Sequence, residues 1–89
     1  MAFKKTYITV AARKALERNR EDVLGWVMQR GIYGELFHVG AGADADSKIN
    51  ARRFVSAYKL KGHTIIWIMT GPERSTTVIS MPYEIATGA

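Results

Sequence analysis

The residues best suited to chemistry in this 89-residue chain are its cations. Arg52, Arg53, Lys59, Lys61 and Arg74 all fall in the stretch RRFVSAYKLKGHTIIWIMTGPERSTTVISMPY, which runs from Arg52 to Tyr83. Arg13, Lys14, Arg18 and Arg20 fall in the first segment of helical character. Arginine grips a phosphate through two parallel N–H donors, which the point charge of lysine does not do. Phe54, Tyr58 and Trp67 are interleaved with the cations of the first group. Charge that tracks a backbone, beside rings that stack on bases, makes a surface for single-stranded nucleic acid. The same residues suit a solvated charged face over a buried aromatic core, and both readings stand at this point. A net charge of +5 favours acidic partners, either RNA or an acidic protein surface.

Other chemistries find less support. His38 and His63 are the only histidines and there is no cysteine, so a zinc site would need both histidines plus carboxylates such as Glu35, at a spacing nothing demands. No metal or cofactor is expected. His63 follows a turn and is expected to be solvated, with an imidazole able to carry a proton near neutral pH. Gly40-Ala41-Gly42-Ala43 lacks the lysine and hydroxyl pair of a phosphate loop, and Asp44 and Asp46 would repel phosphate. Those two aspartates also lack the glycine and distal glutamate of a calcium loop.

The elements that must position the cations follow from the apolar pattern. Thr64 to Met69 is almost wholly apolar and rich in β-branched and aromatic residues, as a central strand requires. Lys61-Gly62 reads as a two-residue turn before it, and Gly71 to Arg74 as a four-residue loop after it. These turns predict a meander in which Tyr58 opposes Ile65, and Trp67 lies between Ser56 and Val78. Alternation along each strand then collects Phe54, Tyr58, Leu60, Ile65, Trp67, Met69 and Val78 on an aromatic face. Val55, Ala57, Ile66, Ile68, Ile79 and Met81 form an aliphatic face suited to packed helices. The aromatic face is either covered by more chain or meets a partner.

Upstream, residues 3–9 alternate loosely and predict a short edge strand with Lys4 and Lys5 guarding it. Thr9 can cap the helix that follows. AARKALERNREDVLGWVMQR holds good helix formers and no proline, and predicts two helices over about 10–18 and 20–30 or one kinked helix, with Asn19 and Asp22 resembling the start of a capping box. Gly31 is a good stop. Ile32 to Val39 is an apolar run that suits a strand, and Gly40 to Ser47 reads as a loop.

The expected fold class is therefore α+β: N-terminal helices packed on a three- or four-stranded antiparallel β-meander, in one small domain over residues 1–89. A hydrophobic content of 47% supplies one small core. The lack of cysteine points to the cytoplasm. The opening MAFKKTYITV has no signal-peptide run, and no apolar stretch is long enough for a membrane span.

ARKALERNREDVLGWV, followed by a loop and hairpins reading HTIIWIMTGPERSTTVISM, resembles the small ribonuclease toxins of the RelE and BrnT type. The likeness runs from Val10 to Met81. It implies metal-independent RNA cleavage, in which a 2′-hydroxyl attacks the adjacent phosphate with a base, a cationic clamp and a proton donor in attendance. The catalytic types it implies map to Arg53, Lys59, His63, Arg74 and Tyr83, with Arg52, Lys61, Arg13 and Arg20 holding nucleic acid. The histidine that often opens the first helix of the BrnT-like group is replaced here by Ala11 or Ala12. The rival expectation is a non-enzymatic protein-binding module, such as a small phage-encoded inhibitor of a host complex, that docks through Phe54, Tyr58 and Trp67. A homodimer joined through the same face is the third.

Overall fold

Thr9 ends the first strand and starts the first helix. Its backbone is still extended, and its hydroxyl accepts the Ala12 N–H at 3.1 Å, as an N-cap residue does. The computed structural model describes residues 5–32, 35–40, 54–71 and 76–84. Within these, β1 (Lys5–Thr9) leads directly into α1 (Val10–Arg18) and then α2 (Val23–Gln29). Four strands and a turn complete the order: β2 (Leu36–Val39), β3 (Phe54–Lys59), β4 (Ile65–Thr70), β5 (Thr76–Ser80) and the 3-10 turn η1 (Pro82–Glu84). None of the described helices is long and apolar enough to cross a membrane.

The class is α+β, but the sheet is not a simple antiparallel meander. It has five strands in the order β2-β1-β5-β4-β3. β1 runs parallel to both β2 and β5, while β4 runs antiparallel to β3 and β5. The expected N-terminal edge strand is therefore an inner strand, paired on both sides. β1, the two helices and β2 form a crossover unit, and that unit requires the parallel pairing.

The β3–β4 register also differs from expectation, by one residue. The Leu60 N–H donates to Thr64 O at 2.7 Å and the His63 N–H to Leu60 O at 3.1 Å, so the loop spans three residues. His63 lies in the left-handed region (φ 65°), as in a type I turn followed by a bulge residue. Tyr58 consequently opposes Ile66, and Trp67 lies between Ala57 and Ser80 rather than between Ser56 and Val78. A one-residue slip exchanges the faces of β3. At the other hairpin Gly71 bonds to Thr76 and Met69 opposes Val78, a shift that leaves the faces of β5 unchanged.

Helices cover one face. Ile8, Ile66, Ile68 and Ile79 pack there beneath Ala12, Ala15, Leu16, Trp26 and Val27, with Leu60 and Met81 at the margin. The aliphatic residues of β4 and β5 are thus under the helices as expected, but Tyr58 joins them in place of Val55 and Ala57. The second face centres on the buried pair Met69 and Val78, flanked by Tyr7, Val39 and Trp67. Tyr7 and Phe37 meet on it with ring centroids 5.5 Å apart.

Candidate nucleic-acid interface

Asn19 decides where the β3–β4 hairpin sits. It is the C-cap of α1, not the first residue of a capping box. Its Nδ2 donates to Ala15 O at 2.8 Å, and its Oδ1 accepts the Gly62 N–H at 2.9 Å. The second helix is capped instead by Asp22, whose carboxylate accepts the Gly25 N–H at 3.0 Å, so it begins at Val23. The clasp between Asn19 and Gly62 holds the hairpin tip against the connection between helices. Arg18 and Arg20 flank Asn19 in the chain, and Lys61 and His63 flank Gly62; all four are exposed. Lys59 ends β3 opposite Ile65, exposed on the face that carries Trp67.

Tyr83 belongs to the same end of the sheet. It lies in η1, which follows β5 and packs against β4. Glu84 ties this turn down: its Oε1 accepts the Thr9 hydroxyl at 2.6 Å and the Met81 N–H at 2.9 Å. The Tyr83 ring is left 76% exposed. β3 and β5 flank β4 at one strand spacing each, so Lys59 and the turn bearing Tyr83 lie on strands roughly 10 Å apart.

Not every expected site residue gathers here. Arg13 points elsewhere, bridging to Glu17 at 3.0 Å and lining a hollow of about 450 Å³ with Glu21, Asp22, Leu36 and His38. Arg52, Arg53 and Arg74 lie outside the described residues. Phe54, the first described residue of β3, pairs with Thr70 at the end of β4 remote from the hairpin tip. Phe54, Tyr58 and Trp67 do not share a face, because the slip puts Phe54 and Tyr58 on the helix side and Trp67 on the other. Among the described residues, no group of three histidines and carboxylates is placed to hold a metal ion.

Two residues have contacts that the sequence-based expectations did not include. Arg30 at the end of α2 lies against Trp26 and Tyr58, its guanidinium carbon 4.7 and 4.9 Å from the two ring centroids. Trp26 and Arg30 are four residues apart and hence on one helix face, which is the sequence signal that could have exposed the pair. Asn19 had no such signal, since its partner is 43 residues away.

Comparison with known proteins finds no family, no curated protein and no solved structure that matches this chain.

Proposed function

We propose that this protein binds single-stranded RNA at the hairpin end of its sheet. The observation that carries the reading is the Asn19–Gly62 clasp, which joins two cationic loops that are far apart in sequence. Arg18, Arg20, Lys59 and Lys61 supply charge for the phosphates, and the exposed Tyr83 ring supplies a stacking surface at the same end of the sheet. The acids Glu17, Glu21 and Asp22 line a hollow with Arg13, and Glu17 and Glu21 adjoin Arg18 and Arg20 in the chain.

The reading stops at binding. Acid–base cleavage needs groups held within hydrogen-bond reach of the reacting atoms. Of the residues expected to be catalytic, Lys59, His63 and Tyr83 are described, and no side-chain hydrogen bond among the described residues fixes any of them.

The test is a salt titration with a labelled single-stranded RNA pool. Log affinity should fall linearly with log salt, at about −0.7 per phosphate contact. Lys61→Ala should flatten that slope by less than about one unit. The same samples report cleavage, which would leave cyclic-phosphate ends and survive EDTA. RNA binding that is weak and indifferent to salt would defeat the proposal. It would favour instead a protein contact on the Trp67 face, where Phe37, Val55 and Ile65 are each more than a third exposed.

A further inference from the structure

Arg30 is a half-buried cation with no matching anion among the described residues. Its guanidinium stands in the corner made by Trp26 and Tyr58, whose rings meet at 85° with centroids 5.9 Å apart. Trp26 is only 2% exposed, so one wall of this corner is core. The Arg30 Nε is buried and has no hydrogen-bond partner among the described residues. Among the described residues, no carboxylate comes within ion-pair distance of the guanidinium. Contact with two rings recovers part of the cost of removing this charge from water, but a ring face accepts no in-plane hydrogen bond. The group is pre-oriented by its walls and poor in solvent on one side, and its buried Nε donor is unused among the described residues. Those are the conditions under which a planar guanidinium binds an oxyanion in bidentate fashion most strongly.

We propose that Arg30 is a phosphate-binding residue that grips one phosphodiester of the bound RNA, extending the hairpin-end surface along β3. This rests on the RNA-binding reading above. The path is short: Tyr58, which forms one wall, is close in the chain to Lys61 at the clasped tip, while Lys59 between them faces the other side of the sheet. A strand of RNA lying along this edge meets Arg30 at one end and Lys61 with Arg20 at the other. Trp26 and Tyr58 act as positioning residues, holding the guanidinium rather than touching the base.

Two variants separate this role from a structural one. Arg30→Met keeps an unbranched apolar stem against the rings and removes the unpaired charge. Its thermal midpoint should stay level or rise, because replacing a poorly solvated charge by an apolar group is often neutral or stabilising. Its RNA affinity should fall by about tenfold to a hundredfold, the range for losing charge-assisted hydrogen bonds, and its salt slope should flatten by about 0.7. Arg30→Lys should keep the wild-type slope and lose affinity by several-fold, since the charge stays and the fork is lost. A third readout uses a Trp67→Phe background, which leaves Trp26 as the one tryptophan. Emission from Trp26 should change on titration with a short oligouridylate. The inference is overturned if both Arg30 variants bind the oligonucleotide as the wild type does and Trp26 emission stays unchanged. Should the wild-type protein itself show no RNA binding at low salt, the hairpin-end reading and the Arg30 site fall together.

Discussion

Asn19 engages both ends of its amide, one to its own helix and one to a hairpin 43 residues away. Gly62 is the residue that permits this. A Cβ placed there would stand 2.8 Å from the Asn19 Oδ1, closer than side-chain carbons come. Asn19 cannot yield without also leaving Ala15 O. Gly62→Ala is therefore expected to cost about 0.5–1.5 kcal/mol, the range for a lost hydrogen bond, and to weaken RNA binding by separating Lys61 from Arg20. Urea denaturation and the salt titration check the two halves, and a fully stable variant with wild-type affinity would show that the clasp positions nothing. Deep in the core the scale of effects is larger. Ile66 is fully buried beneath the helices. Ile66→Ala should cost on the order of 2–5 kcal/mol, and a measured loss well under 1 kcal/mol would put that face of the sheet in solvent.

At the scale of elements, the β3–β4 hairpin shows how one turn residue sets a whole strand. Glycine next to lysine suggested that Gly62 takes the positive φ of a two-residue turn. The residue that takes it is His63, at φ 65°, and Gly62 is needed for close approach to Asn19 instead. A histidine carries a steric cost in that region that glycine does not. His63→Gly should accordingly raise stability by up to about 1 kcal/mol, while RNA affinity holds or falls as the imidazole is lost. A clear drop in the thermal midpoint would contradict a left-handed residue at this position. The rest of the fold was legible in proportion to how local its causes are. Thr9 as cap, α1, Gly31 as a stop and the apolar run of β4 depend on neighbours in the chain, and they form as their residues suggest. The inner position of β1 depends on pairing with β5, about seventy residues away, and alternation in KTYIT carries no record of that partner. The face of Trp67 was legible as well, while those of Phe54 and Tyr58 were not, because the three-residue turn slips β3 by one residue.

The described cations of the molecule differ in what surrounds them. At the hairpin end, Arg18, Arg20, Lys59 and Lys61 stand exposed. On the β2 side, Glu17, Glu21 and Asp22 share a hollow with Arg13 and His38. Counting cations along the sequence could not reveal this, because Arg13 and Arg20 look alike there: both are arginines in one helical stretch. The structure separates them by pairing Arg13 with Glu17 one helical turn on, and by placing Arg20 beside the clasped hairpin. That difference tests whether RNA is drawn by a site or by net charge alone. Arg13→Ala and Arg20→Ala each remove one positive charge from a total of +5. If attraction came from net charge, the two variants would lose affinity equally and their salt slopes would flatten alike. If the hairpin end is the interface, Arg20→Ala should flatten the slope by up to about 0.7, the share of one single-strand phosphate contact. Arg13→Ala should leave it within error, because its charge is already engaged with a carboxylate and stands apart from the bound strand. Its stability should also change little, since exposed helix pairs of this kind contribute only about 0.3–0.5 kcal/mol. Matching losses in both variants, measured side by side at several salt concentrations, would remove the hairpin end as a defined interface.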